Sequence, residues 1–145
     1  MRAVIQRVSH ASVSVEGKEI AKIGQGMLIL LGVVQDDTEE NLAAMVKKAS
    51  ALRIFRDAED KMNLSVKDIN GEALVVSQFT LCADTRKGNR PSFIRAAAPE
   101  SASPMVDEFV RRFNEAGIPT QQGQFGGDMK VSLLNDGPVT IILDL

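Results

Sequence analysis

The run from Met27 to Val34 constrains the fold more than any other stretch of this sequence. It is apolar apart from Gly32, and no alternation leaves one side polar for water. A membrane helix needs roughly 18 consecutive apolar residues, and this run falls well short. It suits a buried strand, so the rest of the chain must supply what covers it. A chain of 145 residues can form one domain around one core and is short for two. The hydrophobic fraction of 44% and charged fraction of 25% sit near the globular average, which argues against disorder.

The opening reads as strands. Val4 to Val8 is apolar-rich, and Ala11, Val13 and Val15 alternate with Ser12, Ser14 and Glu16 at the period of a half-buried strand. Glu16-Gly17-Lys18 predicts a hairpin turn, and Gly24-Gln25-Gly26 a break before the buried strand. Asp37 and Glu40 have the spacing of a capping box, and Leu42, Met45, Val46, Ala49 and Leu52 then recur on one helical face. Arg53-Ile54-Phe55 predicts a short strand. Asn70-Gly71 marks a turn into a long strand from Ala73 to Ala83. Thr85 to Pro99 has no period and reads as a long loop. A second helix is expected over Ser103 to Ala116, capped by Ser103, with Pro104 in its first turn and Gly117 ending it. Met129 to Leu134 and Val139 to Leu143 read as the last two strands. The architecture expected is a single mixed α/β domain over 1–145, a strongly curved, barrel-like mixed β-sheet with two amphipathic helices packed on it.

The chemistry is defined first by what is missing. His10 is the only histidine, and no motif joins it to a nucleophile in a triad. Cys82 is the only cysteine, so neither a disulfide framework nor a zinc knuckle can be drawn. No phosphate-binding glycine loop and no cofactor motif is present. With no visible signal peptide, a cytoplasmic location is the default expectation. The net charge of -2 argues against a large nucleic-acid footprint but leaves room for a local patch. That patch would be Arg86, Lys87, Arg90 and Arg95, which read equally as a solvated loop or as a grip on phosphate. Ser77, Gln78 and Thr80 interrupt a very apolar stretch, either as the polar face of a strand or as a pocket rim. Gly137-Pro138 is an ordinary turn or a cis pair.

Two segments resemble the signature motifs of the D-aminoacyl-tRNA deacylases: Ser77-Gln78-Phe79-Thr80-Leu81 and Asn135-Asp136-Gly137-Pro138-Val139-Thr140. The similarity extends through Gln6-Arg7-Val8, Arg53-Ile54-Phe55, Lys61-Met62-Asn63 and Arg90-Pro91-Ser92-Phe93. It implies a carboxylic ester hydrolase acting on D-aminoacyl-tRNA, without metal, cofactor or membrane. It implies a homodimer with the active site at the subunit interface. Ser77, Gln78, Phe79 and Thr80 would form the catalytic segment. Gly137 and Pro138, as a cis pair braced by Arg7, would exclude L-amino acids from the partner's pocket and admit glycine. Arg86, Lys87 and Arg90 are the candidate tRNA contacts. The rival readings are a noncatalytic nucleic-acid-binding module and a small-molecule hydrolase or isomerase.

Overall fold

The structure, a computed structural model, describes residues 1–145. β1 (Arg2–Val15) is its spine. Along one edge β1 pairs antiparallel with β3 (Gly26–Gly32) and then with β2 (Lys18–Ile23), and along the other with β8 (Met129–Asp144). The β1–β2 turn needs two left-handed residues, supplied by Glu16 at φ 51° and Gly17 at φ 75°. β6 (Glu72–Ser77) runs parallel to β3, and β7 (Thr120–Gln122) parallel to β6. The seam between β7 and β2 is closed by one side chain. Gln121 accepts from the Lys22 N–H at 2.9 Å and donates to the Lys22 carbonyl at 2.7 Å. The mixed sheet thereby curls into a nearly closed barrel. β4 (Phe55–Arg56) and β5 (Met62–Leu64) form a separate small ladder.

The closure explains the unbroken apolar run. Met27, Ile29 and Leu31 of β3 face an outer core, which α1 (Glu39–Ser50) covers with Leu42, Met45 and Ala49. α2 (Pro99–Glu115) adds Ala102, Val106, Phe109 and Phe113 to the same core. Leu28 points to the opposite side, where it meets Val8, Val13, Leu74 and Val76 inside the barrel. With apolar layers on both faces, β3 has no polar alternation to show.

Several boundaries differ from the sequence reading. α1 is capped by Thr38 with Asn41 rather than by Asp37 with Glu40. α2 starts at Pro99, not Ser103, because Pro99 already fits a first turn that needs no N–H, and the helix carries Pro104 inside it on an exposed face. The last two expected strands are one, β8. No helix is long and apolar enough to cross a membrane.

Asp37 is released from capping for another task. Its carboxylate accepts from the Met1 amino group at 2.5 Å and from the Val34 N–H at 2.7 Å, while the same amine donates to the Leu145 carbonyl at 2.6 Å. The pair is buried, with Met1 and Asp37 side chains 0% and 3% exposed. Removing one partner strands a charge away from water. Asp37→Ala is therefore expected to lower unfolding free energy by about 3–5 kcal/mol in urea titrations, with Asp37→Asn milder because its oxygen still accepts. A loss below about 1 kcal/mol for Asp37→Ala would show the pair to be screened like a surface one.

Candidate active site

The first motif is not a strand. β6 ends at Ser77, the Gln78 N–H makes the last ladder bond to the Leu31 carbonyl at 2.8 Å, and Phe79–Cys82 forms one 3-10 turn. The expected strand to Ala83, with Gln78 and Thr80 sharing a face, is thus corrected. Gly32 explains the change. A Cβ there would lie 3.0 Å from the Gln78 carbonyl oxygen and 3.2 Å from both Leu81 Cβ and Cys82 Sγ. Glycine lets the turn settle onto β3 without displacing these neighbours. Beneath it Cys82 is buried, its thiol donates to the Val33 carbonyl at 3.4 Å, and burial pushes its pKa up. Cys82 is a packing residue, not a nucleophile.

The turn leaves reactive features outward. The Gln78 amide donates to Thr80 Oγ1 at 2.5 Å. The first N–H groups of such a turn have no partner within it, and those of Phe79 and Thr80 find no acceptor elsewhere in the chain. Phe79 is 57% exposed and meets Phe93 edge-on, with ring centres 5.1 Å apart.

Beside the turn lies a cavity of about 690 Å³, mostly apolar, whose wall includes Ser77, Gln78, Phe79, Phe93, Phe125 and Met129. Asp128 is its only ionisable lining residue, and Lys130 Nζ pairs with that carboxylate at 3.0 Å. Thr80 lies just off the lining and is exposed. His10 is exposed on β1 opposite Leu134 and takes no part in the cavity. No cluster of three or more His, Cys, Asp or Glu side chains could hold a metal. The segment around Phe125 was missed in the sequence because it carries neither period nor charge; only the return of the chain from β7 to β8 brings it to Ser77.

The second motif is a bulge at the barrel edge. Gln6 pairs with Thr140 and Val8 with Asn135, so Arg7 alone faces Asp136, Gly137, Pro138 and Val139. The Gly137-Pro138 bond is cis. Arg7 is 3% exposed. Its Nε donates to the Asp136 carbonyl at 2.9 Å, its Nη1 donates to the Ile54 carbonyl at 2.8 Å, and the Asp136 carboxylate stands 3.6 Å away. Gly137 has φ 138°, a conformation side chains avoid, and a Cβ there would lie 2.9 Å from Arg7 Nη2. Gly137 and Pro138 themselves are exposed.

Within one chain the two motifs do not meet. β1 and β3 separate β8 from β6, and none of Arg7, Gly137 and Pro138 lines the cavity. The loop from Thr85 to Pro99 reaches the cavity through Phe93 and Ala96 to Pro99, but none of its basic residues Arg86, Lys87, Arg90 and Arg95 lines it. An antiparallel bridge between Asp84 and Ser92 closes that loop, and Arg86 is tied to Asp84 through Nε at 2.9 Å and Nη2 at 2.5 Å. These bonds hold the Asp84 carboxyl well below the usual carboxylate range. Lys87 and Arg90 are exposed and enter no ion pair.

Comparison with known proteins adds a family to this geometry. The "D-aminoacyl-tRNA deacylase" of Roseiflexus castenholzii is 58% identical over 144 residues, covering 99% of this chain and 92% of that one. The protein of the same name from Porphyromonas gingivalis is 57% identical over 145 residues, covering 99% and 97%. A solved structure described as "c-Myc DNA Unwinding Element Binding Protein" superposes with a TM-score of 0.95 at 42% identity, covering 100% of this chain and 99% of that one. Another, described as "Structural Analysis of a probable eukaryotic D-amino acid tRNA deacylase", shares the fold at a TM-score of 0.83 and 19% identity, covering 99% and 98%. The family model described as D-Tyr-tRNA(Tyr) deacylase matches residues 4–144, and this chain belongs to that family.

Proposed function

We propose that this chain hydrolyses the ester of D-aminoacyl-tRNA, with water adding to the carbonyl carbon, the bond to the ribose oxygen breaking, and that oxygen leaving with a proton. The observation that carries the reading is the pair of unpartnered N–H groups at Phe79 and Thr80 beside a largely apolar cavity. Such donors stabilise the oxyanion that develops on an attacked ester and work best where water is scarce. The names of relatives matched over nearly the whole chain supply the substrate class.

The cavity offers no histidine, and its one carboxylate is paired with a lysine. A Thr80 nucleophile would need a base, and its only side-chain partner is a neutral amide that donates to it. The substrate's own 2'-hydroxyl is the better group to position or activate water. Thr80→Ala is expected to lower turnover by only about tenfold, the scale of one lost hydrogen bond. A terminal 2'-deoxy substrate should be cleaved far more slowly than that. Loss of all turnover in Thr80→Ala, with unchanged tRNA binding and normal cleavage of the 2'-deoxy ester, would move the nucleophile to Thr80.

Selection between enantiomers is assigned to the bulge of a second copy. The carbonyls of Gly137 and Pro138 would occupy the space an L side chain needs, so D-amino acids of many kinds, and glycine, would enter. Support comes from the exposure of both residues, their separation from their own chain's cavity, and the open outer edge of β8 with Leu134 54% and Ile142 74% exposed. Exposed apolar side chains on an unpaired edge fit an interface between copies. Lys87 and Arg90 would meet tRNA phosphates, with Arg86 holding the loop's shape.

A second reading, a noncatalytic DNA-binding module, takes its support from the neighbour at 42% identity whose description names a DNA element. Paired hydrolysis assays on D-tyrosyl-tRNA and L-tyrosyl-tRNA separate the two. Cleavage of the D ester alone is expected, with selectivity lost in Gly137→Ala, whose new Cβ collides with Arg7. A folded protein that cleaves neither ester and binds DNA would favour the module.

A further inference from the structure

Asn135 and Thr140 stand on either side of the four-residue bulge that carries Gly137 and Pro138. A bulge of this size on an edge strand has lost its ladder bonds. Arg7 restrains it from one side, through the Asp136 carbonyl. The other end has its own closure. Asn135 Oδ1 accepts from the Val139 N–H at 2.9 Å, and Asn135 Nδ2 donates to Thr140 Oγ1 at 3.0 Å. The orientation of this amide follows from chemistry: the Val139 N–H demands an oxygen, so the nitrogen must face Thr140. Gln6, which pairs with Thr140 across the ladder, donates to the same hydroxyl from Nε2 at 3.3 Å. The hydroxyl thus receives two donors, one from each strand.

We propose that Asn135 and Thr140, backed by Gln6, form a side-chain latch across the neck of the bulge, and that this latch fixes the direction of the Gly137 and Pro138 carbonyls and so sets enantiomer selectivity. The inference rests on the reading of the bulge as the selectivity element. Asn135 and Thr140 are positioning residues; neither lines the cavity. With Arg7 holding one end and the latch the other, the carbonyls between them cannot swing. Release of the neck lets them move by a fraction of an ångström to an ångström, enough to open room for a side chain on the wrong face of the α-carbon.

The test compares hydrolysis of D-tyrosyl-tRNA and L-tyrosyl-tRNA by wild type, Asn135→Ala, Thr140→Val, the double variant and Asn135→Asp, with thermal midpoints and amide exchange at Val139 alongside. Asn135→Ala and Thr140→Val should each lower the D-over-L ratio by about fivefold, the scale of one net hydrogen bond. The double variant should fall short of the product of the singles, because they break the same bond. Asn135→Asp should keep most of the selectivity, since its carboxylate still accepts from Val139 and the Thr140 hydroxyl can turn to donate. Val139 exchange should quicken in Asn135→Ala and stay slow in Asn135→Asp. An unchanged ratio in a folded Asn135→Ala, with Gly137→Ala losing selectivity, overturns the latch while leaving the functional reading intact. Equal protection of Val139 in wild type and Asn135→Ala overturns it without reference to activity. A wild type that cleaves neither ester removes the functional reading and the latch with it.

Discussion

A guanidinium removed from water must have its donors matched, and Arg7 is the one basic side chain this fold buries. It stands where β8 leaves the ladder, and its partners come from two distant segments, the Ile54 carbonyl and the Asp136 carbonyl. The shape of the bulge follows from that requirement. Asp136 must turn its carbonyl inward, Gly137 must take a left-handed backbone to pass Arg7 Nη2, and the residues beyond are pushed out to solvent. Replacing the arginine would leave both carbonyls short of a donor and the bulge without its floor. The short segment before β4 is fixed by the same side chain, so the bulge and the outer core are joined through Arg7.

The first motif, on the other side of the sheet order, is governed by shape. Gly32 allows the Phe79–Cys82 turn to lie against β3, and Cys82 fills the space below. Two N–H groups are left unpartnered above, beside an apolar cavity without histidine. A site so constituted would suit the proposed substrate, an activated ester next to a ribose hydroxyl. It lacks the basic side chain that a harder amide bond would call for. Under the proposed reading the chemistry would draw on few protein groups, and discrimination would lie in the geometry of the bulge.

Much of this was legible in the sequence, for physical reasons. The Met27 to Val34 run required a strand covered on both faces, and the two cores on either side of β3 supply that cover. Both amphipathic helices carry the faces their spacing indicates, with Lys47 and Lys48 turned to water. The two motifs identified the family. What local pattern could not give were features decided by remote contacts. The Ser77 to Ala83 stretch has strand-like composition, yet Gly32, on another strand, permits the turn that ends it. Asp37 had the spacing of a cap, but the Met1 amine competes for its carboxylate. The roles of Asn135 and Thr140 depend on ladder register, which spacing does not reveal, and Phe125 enters the cavity wall only once the sheet has closed.

If the cavity of one copy is completed by the bulge of another, as proposed, mixed dimers will reveal it. One chain would carry Ser77→Arg, which fills its cavity while leaving its bulge intact. The other would carry Gly137→Ala, which spoils the bulge and leaves the cavity open. Each variant alone should fail, the first inactive and the second unselective. In the mixed dimer the open cavity faces the intact bulge, so cleavage should return and be confined to D-aminoacyl-tRNA. A mixed dimer that cleaves both enantiomers, as the Gly137→Ala chain does alone, would mean that the bulge acts on its own chain and not on its partner's cavity.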